Sequence, residues 1–242
     1  MKKWTFGVLG LMLFVTFSCK KGERLQKTYL LSEQIIDDSA DGVPIDTTRF
    51  FYNRENNLTL VKSSDGTNYT MTYDDAGRVS VAKTINPGGV VVKEFDFYYT
   101  PAVSFIEKAI SKKPDTAYFT FDSKGEVTEI QTLHGGYSTY TYDERGNIAS
   151  LKNYHADGSI SLYDESIYSY DNMKHYFSAI PHNNYFLMYI LYGDASTNIN
   201  NVVTKNADVY TYTYNNDGYP VKAIAKVVGH SLTPIYYNYI VK

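Results

Sequence analysis

The chain has 242 residues, with 23 basic and 26 acidic side chains and a formal net charge of −3. This balance argues against a nucleic-acid partner and against a polybasic membrane-binding patch. A single cysteine excludes an intramolecular disulfide, so stability must come from a hydrophobic core, which an apolar content of 43% makes feasible.

The first residues have the layout of an export signal. Lys2 and Lys3 precede an apolar and small-residue run from Trp4 to Phe17, which is followed by Ser18. The run is shorter than the roughly 20 apolar residues that a membrane-spanning helix needs. We therefore predict that residues 1–18 are a cleaved signal peptide.

Cys19 is the only cysteine and stands at the expected cleavage point. The stretch Thr16-Phe17-Ser18-Cys19 resembles the lipobox of bacterial lipoproteins, in the loose form used by the Bacteroidota rather than the stricter Leu-Ala-Gly-Cys pattern. The resemblance implies that Cys19 is lipidated and becomes the first mature residue, with residues 19–28 as a polar tether. We expect an exported, membrane-anchored protein of the cell envelope, an outer-membrane lipoprotein on either the periplasmic or the surface face.

From residue 29 onward, short runs rich in Tyr, Thr, Val and Ile are cut by Gly, Asn and Asp, a composition typical of strands and hairpins. One unit recurs: an aromatic residue, then Asp or Asn, two further residues and Gly. Tyr52 to Tyr73 and Phe121 to Tyr142 are both steps of 21 residues, which indicates a repeated supersecondary unit. Clear copies begin at Tyr73, Phe121, Tyr142 and Tyr214, and weaker ones at Tyr52 and Tyr154.

Each unit predicts a hairpin turn. The Asp or Asn can accept a bond from the backbone two residues on, and Gly takes the left-handed conformation that leads into the return strand. Asn56 can replace Gly because Asn tolerates that conformation. We interpret these residues as turn formers rather than catalysts: Asp74, Gly77, Asp122, Gly125, Asp143, Gly146, Asn215 and Gly218.

The strands that enter the turns alternate with period two, as in residues 69–73 and 210–214, which places Tyr and Met on one face and Thr and Ser on the other. An aromatic core layer and a wetted face are typical of antiparallel sheets. Residues 185–192 are apolar throughout and do not alternate. Asn184 and Gly193 favour a short helix there, whereas the aromatic and β-branched content favours a strand.

The Tyr-Asp-x-x-Gly units resemble the YD repeats of large bacterial shell and wall-associated proteins. The order of lipoprotein signal, hairpins, residues 168–172, hydrophobic run, Asn200-Asn201-Val202 and residues 212–220 resembles a family of Bacteroidota lipoproteins of unknown function with a described porin-like fold. The resemblance implies an all-β domain over residues 29–242, made of sequential antiparallel hairpins in a curved, partly closed barrel. The non-aromatic face carries Thr, Ser, Lys and Asp, so we do not expect an outer-membrane channel.

No motif assembles a catalytic or metal site, and we expect no cofactor. Residues 37–42 match the opening of a calcium loop, but Thr48 stands where the loop needs Glu. Residues 229–233 resemble a nucleophile elbow without its last glycine, and no histidine follows Ser231. The histidines lack metal-ligand spacing; they are His134, His155, His175, His182 and His230.

Three functions remain open. The first is a non-enzymatic binding or interaction module on a β scaffold, with a glycan, lipid or protein as its ligand. The second is a carrier that holds a hydrophobic ligand in the barrel, which requires an internal apolar cavity of several hundred Å³. The third is a polysaccharide hydrolase, which requires two converging carboxylates, at least one with its pKa raised by burial.

Overall fold

A computed structural model describes residues 27–99, 106–111, 116–133, 135–180 and 198–242. The described residues form antiparallel strands that pair in chain order, and β1 pairs with β16 to close a barrel. The strands are β1 (Tyr29–Ile36), β2 (Asp46–Tyr52), β3 (Leu58–Ser63), β4 (Asn68–Tyr73), β5 (Val79–Ile85), β6 (Val91–Tyr99), β7 (Ile106–Ser111), β8 (Thr116–Phe121), β9 (Val127–Thr132), β10 (Tyr137–Tyr142), β11 (Ile148–Tyr154), β12 (Ile160–Tyr170), β13 (Val202–Lys205), β14 (Asp208–Tyr214), β15 (Pro220–Lys226) and β16 (Leu232–Val241).

The predicted all-β antiparallel fold is confirmed, and the barrel is more completely closed than the sequence predicted. Closure depends on β1 and β16, which pair from Tyr29 opposite Val241 to Ile36 opposite Ile235. A short 3-10 turn, Ser39–Asp41, connects β1 to β2. The predicted helix or strand near residues 184–192 lies outside the described residues.

The barrel has two distinct ends. The end that holds the Tyr-Asp turns after β2, β4, β8, β10 and β14 also holds Thr28 and Lys242, whose backbones exchange hydrogen bonds of 2.9 and 3.0 Å. We call it the repeat end. The opposite end, which we call the distal end, holds the hairpins after β3, β5, β11 and β15 and the β1–β2 connection.

The aromatic and aliphatic face of the sheet points into the barrel, as the period-two alternation predicts. Phe50, Met71, Phe119 and Tyr140 are all buried in one core cluster. The outward face carries threonines and ion pairs. The pairs join Glu33 to Arg49 (2.9 Å), Lys83 to Glu94 (3.4 Å) and Lys152 to Glu165 (3.1 Å).

The strands alone do not fill this barrel, because closed sheets of this strand number are wide enough to leave a channel between their side chains. The chain that follows β12 supplies part of the filling. Phe177 is 1% exposed and meets Phe50 edge to face at 5.3 Å between ring centroids. Tyr176 stacks on Tyr237 of β16 at 5.1 Å. We call residues 171–180 together with 198–201 the inner segment.

Candidate functional site

The Tyr-Asp turns at the repeat end share one hydrogen-bond pattern. Asp74 Oδ1 accepts bonds from the backbone N–H groups of Ala76 (3.0 Å) and Arg78 (2.9 Å), and Gly77 has φ +75°. The same two bonds recur at Asp122, Asp143, Asn215 and Asn53, and the fourth turn residue has a positive φ in Gly125, Gly146, Gly218 and Asn56. The side chains of these Asp and Asn residues are therefore engaged with their own turns.

Tyrosine hydroxyls at the repeat end donate hydrogen bonds to backbone carbonyls, a role that the sequence pattern did not predict. At Tyr73 the pairing with β5 slips, so that Thr72 lies opposite Val81 and Tyr73 opposite Val79, which is a β-bulge. Such a bulge disrupts the hydrogen-bond ladder locally. Seven such bulges have a carbonyl that accepts a bond of 2.5 to 3.0 Å from a tyrosine hydroxyl on the next even-numbered strand. The donors and acceptors are Tyr52 and Leu31, Tyr73 and Leu58, Tyr99 and Val79, Tyr142 and Val127, Tyr170 and Ile148, Tyr212 and Val202, and Tyr239 and Pro220.

Five of these hydroxyls are buried enough that they stay protonated. Burial raises the pKa of Tyr52, Tyr73, Tyr99, Tyr212 and Tyr239 above its ordinary value of 10.0. The sequence pattern does contain these tyrosines, because an aromatic residue recurs before each turn. From the sequence, however, the pattern predicted core packing and not a hydrogen bond.

A buried amide network fastens the inner segment to the repeat end. Asn147 Oδ1 accepts from the backbone N–H groups of Ile199 (2.8 Å) and Asn200 (2.9 Å), and Asn147 Nδ2 donates to Asp143 and Asn200 (3.0 Å each). Asn147 itself is fully buried. The turn between β10 and β11 is thereby locked to the inner segment.

Asp171 is the second anchor of the inner segment. Its carboxylate accepts bonds from Asn201 and from the hydroxyl of Tyr214, and Arg145 donates to its backbone carbonyl at 2.6 Å. Asn201 also donates to the Lys174 carbonyl at 2.9 Å. The Asn200-Asn201 pair singled out in the sequence is therefore a structural fastening.

His175 is buried within the inner segment. Burial lowers the pKa of its imidazole to about 3, so the ring is neutral, and Nδ1 accepts a bond from the Phe177 backbone N–H at 3.3 Å. His155 lies in an exposed hairpin, and His230 lies 3.6 Å from Asp41 at the distal end. His134 and His182 lie outside the described residues.

A cavity of about 280 Å³ lies at the distal end, between the inward faces of β1, β14, β15 and β16. We call it the distal cavity. Its wall is aliphatic and aromatic, with polar groups from Asp38, His230 and Thr233. The lining residues are Ile36, Asp38, Tyr210, Ala225, Val227, His230, Thr233 and Ile235.

The polar side of the distal cavity is ordered by hydrogen bonds between the β1–β2 and β15–β16 connections. The Thr233 hydroxyl donates to Asp38, and the Ser231 backbone N–H donates to Asp41 at 3.0 Å. Hydrogen bonds from Ser231 and the nearby His230 hold the pKa of Asp41 below its ordinary value. The residues that resembled a calcium loop and a nucleophile elbow thus bond to each other.

Glu126 is the described carboxyl group that bears on the hydrolase hypothesis. Burial, aided by Asp122, raises the pKa of Glu126. Asp143, a nearby carboxylate, has its oxygens occupied by Arg145 and Asn147 within its own turn. In the ranges that the structure describes, no group of three or more His, Cys, Asp and Glu residues could hold a metal ion.

No helix among the described residues is long and apolar enough to cross a membrane. Cys19 and the predicted signal peptide precede the described part of the chain.

The RHS repeat family model matches residues 52–91 and 121–160. Two segments of the chain thus match the RHS repeat. The matched segments include the units that begin at Tyr52, Tyr73, Phe121, Tyr142 and Tyr154, so the resemblance to YD repeats is confirmed. The two RHS repeats stand 69 residues apart, which relates β3, β4 and β5 of the first to β9, β10 and β11 of the second.

Solved structures to which the chain shows similarity include a porin-like protein from Bacteroides uniformis, 13% identical, with a TM-score of 0.40 and coverage of 88% of this chain and 96% of that one. TcdB2-TccC3 without its hypervariable C-terminal region is 16% identical, with a TM-score of 0.32 and coverage of 82% of this chain. This chain spans 10% of that protein's length. No curated protein matches the sequence.

Proposed function

We propose that the protein is a non-enzymatic binding module of the cell envelope that is tethered through lipid at Cys19 and takes a small amphipathic ligand in the distal cavity. The observation that carries the proposal is the cavity itself, a concave site with an apolar wall and a few ordered polar groups, which is the usual form of a small-molecule site.

The size of the cavity selects the kind of ligand. Small-molecule sites usually measure roughly 300–1,000 Å³, so about 280 Å³ is too small to enclose a whole lipid. It is large enough for one aryl group or a short alkyl chain beside Tyr210 and Ile235. Asp38 lines the polar side, which favours a head group that is uncharged or cationic. The size of the cavity therefore favours a ligand that inserts one group into the barrel. It does not favour the hypothesis of a carrier that encloses a whole lipid.

The position of the cavity fits a tethered protein. The described chain begins beside Lys242 at the repeat end, and the distal cavity lies at the other end of the barrel. A tether of residues 19–28 reaches at most about 36 Å. The repeat end would then face the membrane and the distal cavity would face away from it.

Binding is tested with the neutral fluorescent probe N-phenyl-1-naphthylamine on purified protein. We expect saturable binding by the natural chain and at least fivefold weaker binding by Ala225→Leu, because Ala225 is 3% exposed and lines the cavity. Val209→Leu is the matched control, because Val209 is exposed on the outer wall opposite Lys226. Absence of saturable binding, or equal binding by Ala225→Leu, would rule the site out.

The anchor is tested separately by Cys19→Ala in cells fed a labelled fatty acid. We expect the variant to lose the label and to leave the membrane fraction. Retention of the label would disprove lipidation at Cys19 and would leave the cavity proposal standing.

A further inference from the structure

The lining of the distal cavity includes one carboxylate, which belongs to Asp38. Asp38 is half-buried, and its Oδ1 accepts a bond from the hydroxyl of Thr233, which is 7% exposed. Among the residues that the structure describes, no lysine or arginine forms an ion pair with Asp38. The cavity therefore holds an acidic group whose charge no described cation balances.

The basic side chains near the cavity have other positions or partners. Lys226 lies on the outer face of the sheet, because the residues on either side of it both line the cavity and side chains alternate along a strand. Lys205 Nζ lies over the ring of Tyr168 at 5.8 Å from its centroid. His230 lines the cavity, and its Nδ1 lies 3.6 Å from a carboxylate oxygen of Asp41. None of these three described side chains pairs with Asp38.

A second carboxylate adds negative potential at the ring of Tyr210, which also lines the cavity. Asp208, at the start of β14, accepts a bond from the Val228 backbone N–H at 3.2 Å, close to the cavity wall at Val227. Burial and then Asp208 raise the pKa of the Tyr210 hydroxyl. A field that opposes a negative charge at this ring favours a positive charge at the same place.

We propose that the ligand of the distal cavity is a primary amine that carries one aryl or short alkyl group. This inference rests on the proposed binding function of the cavity and narrows the class of its ligand. The ammonium group donates to the carboxylate of Asp38 and to the lone pairs of the Thr233 hydroxyl oxygen. The ring of Tyr210 attracts the same positive charge. The apolar group lies against Ile36 and Ile235 of the cavity wall.

The volume of the cavity sets the size of the apolar group. An apolar cavity of roughly 150 Å³ holds one benzene molecule. The distal cavity measures about 280 Å³, so it accommodates a group of two fused rings or an alkyl chain of similar volume.

Desolvation favours a cationic head group over a neutral one. A ligand that fills the cavity removes water from Asp38, and the loss of water from a carboxylate is costly unless an opposite charge and hydrogen-bond donors replace it. An ammonium group supplies both, whereas an alcohol supplies one hydrogen bond and no charge. A bare metal ion fits less well, because the described residues contain no group of three or more His, Cys, Asp and Glu side chains that could hold one.

The test compares three ligands that share a naphthalene ring and differ in charge: 2-naphthylmethylamine, 2-naphthylmethanol and 2-naphthoate. Isothermal titration calorimetry at neutral pH measures the affinity of the purified protein for each. The key variant is Asp38→Asn, which removes the charge and keeps an acceptor for the Thr233 hydroxyl. The matched control is Asp37→Asn, because the Asp37 carboxylate bonds to Ser39 and does not line the cavity. Circular dichroism checks that both variants are folded.

We expect the natural protein to bind the amine at least about tenfold more tightly than the alcohol, and the acid most weakly, because only the amine compensates Asp38. Asp38→Asn should lose this preference for the amine, and Asp37→Asn should keep it.

Equal affinity for the amine and the alcohol, or no binding of the amine, overturns the inference. The proposed function survives that result if N-phenyl-1-naphthylamine still binds the natural protein and Ala225→Leu still weakens its binding. A preference for the amine that persists in Asp38→Asn also overturns the inference, since it would assign the effect to the general charge of the surface. Failure of every ligand, N-phenyl-1-naphthylamine included, removes both proposals.

Discussion

The two RHS repeats have the same interior and different exteriors. The inward residues follow one burial pattern through β3 to β5 and β9 to β11, and both repeats carry the hydroxyl-to-bulge contact, from Tyr73 and Tyr142. The outer rows differ, with Lys62 and Asn68 in one and Gln131 and Tyr137 in the other. Residues that face the lumen are constrained because they must pack inside the closed barrel. Outward residues are not constrained in this way, so they can differ and can form a binding surface.

One pair of equivalent turn positions shows a second difference. Arg78 in the first repeat bonds to Asp74 within its own turn and lies over the Tyr99 ring at 4.3 Å. Asn147, at the same place in the second repeat, holds the inner segment through Ile199 and Asn200. The first repeat is therefore self-contained, and the second is the docking point for the chain that fills the lumen.

The largest expected effect comes from exchanging these two residues. Asn147→Arg should lower the free energy of unfolding by about 3 kcal/mol or more, because a buried amide with several partners is replaced by a charge that has none there. The reciprocal Arg78→Asn should cost about 1 kcal/mol or less, since it removes a partly exposed ion pair. Urea denaturation of both variants measures the difference, and equal losses would show that the inner segment does not depend on Asn147.

The glycines of the same turns should differ less. Gly77 and Gly146 have φ of +75° and +88°, so alanine is strained at both by roughly 1–2 kcal/mol. A Cβ at position 77 would meet nothing within 4 Å, whereas at 146 it would lie 3.0 Å from Glu126 Oε1 and 3.2 Å from Ile199 Cδ1. We expect Gly146→Ala to be the more destabilising by about 1 kcal/mol in thermal unfolding. The reverse order would mean that Ile199 of the inner segment moves away from the new Cβ at little energetic cost.

The tyrosine hydroxyls should be equivalent in the two repeats. Tyr73→Phe and Tyr142→Phe each leave a bulge carbonyl without its donor and should each cost about 1–2 kcal/mol. Tyr98→Phe, on the outer wall, is the control and should be nearly neutral. Chemical denaturation measures all three. A large gap between Tyr73→Phe and Tyr142→Phe would contradict the structural equivalence of the repeats.

The smallest effect concerns Glu126, which stands where the first repeat has Asn57. Burial and then Asp122 raise the pKa of Glu126, so its charged form is disfavoured in the folded protein at pH 7. Glu126→Asn should raise stability at pH 7 by roughly a few tenths of a kcal/mol, a small gain because solvent screens this carboxylate. The gain should disappear as the pH falls below the ordinary value of 4.5, where the natural side chain is protonated in both states. Unfolding curves at pH 7 and pH 4 measure it, and a gain that persists at pH 4 would assign the effect to something other than charge.

Local sequence determined the strands, the faces that they bury and the repeated turns, because period-two alternation and turn chemistry act over a few residues. The alternation of Tyr69, Met71 and Tyr73 predicts an inward face, and the spacing of Asp143 and Gly146 predicts a turn. Neither prediction needs any distant residue. The resemblance to the Bacteroidota lipoprotein family added the sequential hairpins and a barrel-like sheet.

Tertiary structure alone decided the rest. Complete closure joins β1 to β16 across nearly the whole chain, and it depends on the accumulated twist and stagger of all the strands rather than on any one of them. The buried bonds from Asn147 to Ile199 and Asn200 link turns that no periodicity relates, and the distal cavity exists only where four strands converge. The line that Tyr118, Tyr137 and Tyr154 form across the sheet likewise appears only once the register is known, because these residues have no common spacing along the chain.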